Sequence, residues 1–438
     1  MGFNRVRLQK NIPPLRILLS YWRNVGEFYY LKKFLLESKK TVGNNTNSQL
    51  VKKYQNYTGY CEYVYRAFSK LIGIIYFLLL LVKCFFCPKN RVLIFNHTAR
   101  KRIGNKNVRP LYLPAKNFDF NNTIVVDDQP NKLSYPQNTT KLNVTSLIQT
   151  ASLVGFVLNF FYALYYKKSD RDIVDFLVRS NFWKIVLVIL RPKRVAVIVW
   201  YGKEPLISAC KQLRIEVFDL QHGIIYEEHP IYNILDGQKL KGSDFLLPNK
   251  CLVYGEYWRH HLLRSGWNLN EVKVFGYYLD VLPVDCSVNN TPYILYTSQP
   301  HSNGAIIRHI RSVEQEIKLR RWRIVIALHP SEDLHLYDEI LSEQVMLSRQ
   351  DSYDLLSACE VHISMSSTLL WEAMLFNKSS YILEYGTEAL GLLGDLIGFG
   401  YAKTLNLGVF PEPFELPIKP GKEFFFSPII DQSLLYDF

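Results

Sequence analysis

Three short segments of this chain place chemically capable residues where a strand would end. They are Phe218-Asp-Leu-Gln-His-Gly-Ile224, Ala327-Leu-His-Pro330 and Ile363-Ser-Met-Ser-Ser-Thr368. Each follows or closes an apolar run of strand type. The carboxyl edge of an open α/β sheet is where ligands bind. Imidazoles and a run of hydroxyls at such edges suit a phosphorylated ligand bound at one composite site.

The three segments offer different chemistry. His329 precedes Pro330, which has no backbone N–H and keeps its predecessor extended. The imidazole is thereby held at a strand end. A helix beginning after Pro330 would add N–H groups that favour an anion beside it. The plainer reading is a capping turn with an incidental histidine. Ser364-Met-Ser-Ser-Thr368 supplies three serines and a threonine in five residues. Those residue types are also ordinary helix N-caps. Glu372 stands four residues past Thr368, on the same helix face. Its carboxylate either reaches a ribose hydroxyl or stabilises the helix start. Ser298 closes a further strand-like run, Tyr293–Gln299, and joins the donor-side set.

In Gln221-His222-Gly223, glycine permits a turn or a close ligand approach. Gln221 brings both donor and acceptor, and His222 titrates near neutrality as a general base must. Glu204, Asp219, Glu227, Glu228 and His229 are competing bases nearby. A solvated loop is the plainer reading of Glu227 and Glu228.

Strands and helices must alternate to position these groups, and the pattern says they do. Strand-like runs fall at Arg91–Asn96, Thr123–Asp127, Arg194–Trp200, Ile215–Leu220, Cys251–Tyr254 and Val272–Gly276. Helical stretches fall at Pro14–Glu37, Leu147–Tyr166, Asp172–Leu190, from Pro205, and up to Ser265. Val281–Pro292, with two prolines, marks a boundary. A second series follows: strands Tyr293–Gln299, Arg323–Leu328, Val345–Ser348, Val361–Ser364 and Ser380–Leu383, with helices Ala305–Leu319, Asp351–Ala358 and Thr368–Phe376. Such alternation implies βαβ units and parallel sheets. The expected division is a basic helical and linker segment (1–60), an N-terminal α/β domain (61–285) and a C-terminal α/β domain (286–438).

Composition narrows the partners. At 438 residues and 48 % hydrophobic content the chain can build two real cores. Its net charge of +13 fits an anionic partner. No RNA-binding signature, zinc finger or long basic arm is present, so nucleic acid is not expected. Seven cysteines without a framework fit a reducing compartment. Cys84-Phe-Phe-Cys87 has no second pair, so no metal site is expected. Met1–Arg23 is basic but lacks the apolar core and cleavage site of a secretory leader. Leu71–Phe86 falls short of the about 20 residues of a spanning helix. A buried helix, a membrane-surface helix and a span all remain open for it. The Walker loop, GxGxxG after a strand, GxSxG and HExxH are absent from the sequence.

His329-Pro330, then Ser366-Ser367-Thr368 with Glu372 beyond, resembles the donor-binding half of bacterial GT-B glycosyltransferases. The resemblance is to the polysialyltransferase, capsule Kdo-transferase and CDP-glycerol glycerophosphotransferase group, and it covers roughly residues 194–383. It implies a GT-B-like α/β fold with two doubly wound domains around a cleft. It further implies that His329, Ser366, Ser367 and Thr368 meet the donor phosphates, with Glu372 toward ribose or base. His222 and Gly223, with Gln221 and Glu227, would lie on the acceptor side. The catalytic carboxylate is not singled out, Glu204 and Asp219 both being candidates. The implied reaction is metal-independent and inverting, needs no cofactor and uses a nucleotide-sugar, with a CMP-sugar favoured. The acceptor would be a capsule- or O-antigen-type glycan or lipid-linked glycan, at the inner face of the plasma membrane. Polyol-phosphate transfer from a CDP donor and a non-catalytic scaffold are the alternatives. Ile224-Ile-Tyr-Glu-Glu228, where glycerophosphotransferases carry threonine and lysine, counts against the former.

Overall fold

The computed structural model describes residues 82, 85–86, 91–95, 123–127, 140–143, 171–225, 232, 246–277, 292–300, 302–329, 332–350, 352–383, 387–429, 431 and 433–436. Within them lie two parallel sheets. The first comprises β1 (Val92–Phe95), β2 (Thr123–Asp127), β3 (Thr140–Asn143), β4 (Arg194–Ile198), β5 (Glu216–Leu220), β6 (Lys250–Val253) and β7 (Val272–Val274). Its order is β3-β2-β1-β4-β5-β6-β7. The second comprises β8 (Tyr293–Thr297), β9 (Arg323–Ala327), β10 (Val345–Ser348), β11 (Val361–Ser364), β12 (Ser379–Leu383) and β13 (Ala402–Leu405). Its order is β10-β9-β8-β11-β12-β13.

Each sheet is doubly wound, with the chain reversing direction at one point: between β1 and β4, and between β8 and β11. Both reversals leave a crevice at the carboxyl edge. The central strands are buried along their length, as in Val-Leu-Ile-Phe of β1 and Val-Ala-Val-Ile of β4. Strands covered on both faces read as continuous apolar runs rather than alternating ones.

The helices are α1 (Arg171–Leu190), α2 (Glu204–Gln212), α3 (Glu256–Arg264), α4 (Asn303–Ser312), α5 (Glu314–Arg320), α6 (Ser352–Ala358), α7 (Leu369–Glu372), α8 (Thr387–Gly398), α9 (Lys422–Phe425) and α10 (Ser433–Tyr436). The single helix expected over Ala305–Leu319 is broken at Val313 into α4 and α5. No α-helix follows Pro330 directly; Asp333 caps a 3-10 segment, Leu334–Ile340, through the His335 N–H. The helix expected over Thr368–Phe376 is one α-turn, α7, that tightens into 3-10 geometry at Ala373–Phe376. The sequence pattern also missed β3, α8 and β13.

The chain's last residues return to the first sheet. Ser427 donates to the Tyr254 carbonyl, and Tyr277 donates to the Ser427 carbonyl. Gly255 and Gly276 make this passage possible. A Cβ on Gly255 would stand 2.6 Å from the Phe424 carbonyl oxygen, and one on Gly276 would fall on that of Ile429. Beyond them Leu435 is buried against Val92, Ile94, Phe218 and Leu220. The Tyr436 hydroxyl bonds that of Thr123.

The expected helices Pro14–Glu37 and Leu147–Tyr166 lie outside the described residues, as does most of Leu71–Phe86. So do Glu227, Glu228, His229, Pro330, Cys84 and Cys87. Among the described residues no helix is long and apolar enough to cross a membrane.

Candidate functional site

The two carboxyl edges face each other. Elements that follow β6 and β7 pack on elements that follow β11. Tyr257 and Trp258 of α3 lie against Trp371 of α7, with ring centroids 5.3 and 5.1 Å apart. Trp258 also donates its indole N–H to the Phe425 carbonyl at 2.7 Å. One apolar core therefore runs through both halves and the returning tail.

At the second edge, Ser298 follows β8, and Ser364 ends β11 with Ser366–Thr368 just beyond, so the reversal point lies between them. Ser364 is buried and donates to the Thr297 carbonyl at 2.8 Å, a bond that ties β11 to β8. Ser367 is buried and caps the turn, its hydroxyl accepting from the Leu369 N–H at 3.2 Å. Ser366 is exposed and Thr368 half-buried. Of the four hydroxyls, those two are best placed for a ligand.

His329, after β9, is half-buried and held by a built turn. Its N–H donates to the Ser298 hydroxyl oxygen at 2.9 Å and to Glu332 Oε2 at 3.2 Å. The Glu332 N–H in turn donates to the His329 carbonyl. Ser298 donates its hydroxyl to Glu332, and Tyr337 donates to the other carboxylate oxygen at 3.4 Å. Glu332 is 8 % exposed and organises this corner. Burial first, and then the Glu332 charge, push the Tyr337 phenol up to about 12. Sequence reasoning missed Glu332. His329-Pro-Ser-Glu332 has the spacing of a capping box but not its Ser or Thr at the first position, so no sequence signal marked it.

Glu372 takes a hydrogen bond on each oxygen: from Tyr277 at 3.0 Å and from Tyr353 at 2.9 Å. It is 6 % exposed. Tyr277 comes from the end of the first sheet, so this carboxylate joins the two halves. The Glu372 N–H reaches back to the Thr368 carbonyl.

At the first edge, Gln221 is buried and braces its own loop. It donates to the Gly223 carbonyl at 2.8 Å and accepts from the Tyr254 N–H at 2.9 Å. Tyr254 and Tyr277 rings lie 4.6 Å apart. A continuous set of contacts thus runs from the His222 loop through Tyr254 and Tyr277 to Glu372 and Thr368.

Asp219 is 1 % exposed. It accepts from the Trp200 N–H at 3.0 Å and from the Tyr232 hydroxyl at 2.7 Å. Burial, then the Asp219 charge, hold the Tyr232 phenol well above its ordinary range. Glu204, also buried, opens α2. Between them sits Lys203, whose ammonium donates to the Ile198 and Val199 carbonyls at 2.8 and 2.5 Å. Burial lowers its pKa to about 8, against the opposing charges of Asp219 and Glu204. These contacts clamp a turn in which Val199 has φ 66° and Gly202 φ 82°. A β-branched residue there is strained by roughly 1–3 kcal/mol. Such strain persists only where the surroundings over-determine it. His222 is half-buried, and its Nε2 lies 3.3 Å from the Tyr201 hydroxyl. Tyr201 and Lys203 carried no recognisable spacing signal in the sequence.

Among the described residues no group of three His, Cys, Asp or Glu side chains could hold a metal ion. Cys210, Cys251 and Cys359 are buried free thiols.

Two doubly wound parallel domains meeting at their carboxyl edges define a GT-B-like α/β protein. No protein-family model matches the chain, and no curated protein matches it in sequence. Among solved structures it is similar to S. aureus MnaA with UDP: 15 % identity, 73 % of this chain and 85 % of that one, TM-score 0.46. It is also similar to the Neisseria meningitidis UDP-GlcNAc 2-epimerase bound to UDP-GlcNAc, at 15 % identity over 73 % and 88 % of the chains, TM-score 0.45. A third is the glycotransferase of kitacinnamycin, at 10 % identity over 74 % and 88 %, TM-score 0.47.

Proposed function

We propose that this chain is a glycosyltransferase that takes a sugar from a nucleotide-sugar and passes it to a hydroxyl of a glycan or lipid-linked glycan acceptor. One observation carries the reading: Ser298 and Ser364–Thr368 flank the reversal point of the second sheet, at an edge that faces the His222 edge of the first. Ligands of doubly wound sheets bind at such reversal points.

In this scheme the donor phosphates lie against Ser366, Thr368 and the His329 imidazole. His222 removes the proton of the acceptor hydroxyl. The new glycosidic bond forms as the bond from the anomeric carbon to phosphate oxygen breaks. The charge left on the nucleotide is met by the hydroxyls and the imidazole, an electrostatic stabilisation of the leaving group. Asp219 has both oxygens engaged by Trp200 and Tyr232, which favours a supporting role for it over that of base. A bacterial surface polysaccharide as product, and action at the membrane face, follow from the family resemblance alone.

Thermal-shift measurements against CMP, CDP, UDP, GDP and their sugars test donor binding, CMP-sugars first. One nucleotide is expected to raise the melting temperature, and His329→Ala is expected to abolish the rise. No stabilisation by any nucleotide would overturn the proposal. Conversion of the bound donor sugar without any acceptor would replace transfer with isomerisation.

A further inference from the structure

We propose that Tyr201 is a positioning residue for His222, orienting the imidazole and keeping the Nε2 lone pair, rather than a proton, at the position the acceptor hydroxyl takes. The inference rests on the transferase reading only for the identity of that acceptor.

Tyr201 stands on the turn after β4, at the reversal point of the first sheet. That turn is strained at Val199 and fastened at both ends. Trp200 donates its N–H to Asp219, Lys203 donates its N–H to the Trp200 carbonyl, and the Lys203 ammonium holds two strand-end carbonyls. Val199 and Trp200 turn their side chains into the core, Gly202 has none, and Lys203 is engaged by the turn's own carbonyls. Tyr201 is the side chain of this turn that reaches the imidazole. Its hydroxyl lies 3.3 Å from Nε2, and the two rings are 5.9 Å apart at 58°.

With the Tyr201 hydroxyl assigned as donor in this contact, a tautomer of His222 is assigned too. Nδ1 of His222 is buried, whereas Nε2 meets a half-buried phenol. A neutral imidazole carries its proton on one nitrogen and accepts at the other, and the partner of one nitrogen decides which. A phenol hydroxyl donating to Nε2 places the proton on Nδ1. The basic nitrogen then faces the Tyr201 hydroxyl, whose place an acceptor hydroxyl takes over in the reaction. The sealed nitrogen takes no part in proton transfer.

Two-bond proton–nitrogen correlation spectra of the full chain, labelled with 15N-histidine, read the tautomer directly. The His222 signals are assigned by their loss in His222→Gln. Wild type is expected to show a pyridine-type Nε2 and a pyrrole-type Nδ1. Tyr201→Phe is expected to move His222 toward the Nε2–H tautomer while the melting temperature and nucleotide-induced shift stay as in wild type. With a donor and acceptor in hand, Tyr201→Phe should lower kcat by about tenfold with the donor KM unchanged, a fraction of what a general base contributes. A pyrrole-type Nε2 in wild type, or a tautomer unmoved in Tyr201→Phe, would overturn the assignment. The spectra need no turnover, so a chain that transfers nothing leaves them decisive; failure of nucleotide binding strikes the functional reading alone.

Discussion

The two sheet edges share a strand order but satisfy their strand-end polar groups by different means. At the first edge buried opposite charges do it: Asp219 holds a backbone amide and a phenol, and Lys203 holds two carbonyls. At the second edge hydroxyls and neutral groups dominate. Ser364 ties β11 to β8, and Thr297 and Ser380 both bond the buried His362. Glu332 is the exception, and it accepts from a serine, a backbone amide and a tyrosine. Charges clamp a turn that must hold an unfavourable backbone at Val199. On the proposed function, hydroxyls suit an edge that receives a ligand's own charge, because they leave the local field uncommitted.

The largest effect should come from removing a clamp charge. Asp219→Ala strands the Trp200 N–H and the Tyr232 hydroxyl, and it takes a countercharge from Lys203. About 2–5 kcal/mol of stability should be lost for the two buried donors left without an acceptor. Urea unfolding measures this. Asp219→Asn keeps an acceptor and should cost less; equal losses would assign the effect to charge alone and sharpen the contrast between the edges. A loss under about 1 kcal/mol would break it.

Glu332→Ala should cost less, about 1–3 kcal/mol for the stranded donors. It should also weaken nucleotide binding, since the His329 N–H loses its acceptor on that turn. If the thermal shift with nucleotide survives intact, the turn does not govern the imidazole.

The smallest effect over ordinary pH comes from His362. Burial lowers its pKa to about 3, so the folded chain stays unprotonated where the unfolded chain, near 6.5, takes up a proton. Stability present above pH 6.5 is therefore lost as pH falls toward 3, by about 1.4 kcal/mol per unit within that window. The difference in unfolding free energy between wild type and His362→Gln should show this slope below pH 6.5 and none above it. A flat difference would mean that the second edge does not depend on a neutral imidazole.

Much of the scaffold was legible. Thr123–Asp127, Val345–Ser348 and Val361–Ser364 fall where their apolar runs predict. The clearest runs are those of β1 and β4, because strands covered on both faces tend to be continuously apolar. The boundaries that moved are those set by side-chain caps, such as Asp333 and Ser367, and by the break at Val313. β13 was missed because it is a short edge strand whose two middle residues, Lys403 and Thr404, are polar and exposed, which leaves no apolar run to read.

The site was legible in part. His222, His329 and Ser364–Thr368 stood out because strand, polar group and turn are consecutive in sequence. Glu332, Tyr201, Lys203 and Tyr277 did not, because their roles depend on what lies across a fold. Tyr277 and Glu372 are 95 positions apart, yet a single hydrogen bond joins them.

By itself, then, the sequence determined the alternation of strands and helices and the strand ends at which the candidate residues stand. Both are local consequences of apolar periodicity and of residues that turn the chain. The tertiary structure alone decided which hydroxyls are buried as braces and which face outward, how the tail crosses Gly255 and Gly276, and which groups hold each histidine. Those outcomes depend on packing between segments far apart in sequence, and the free energy of such contacts leaves no periodic trace in the chain.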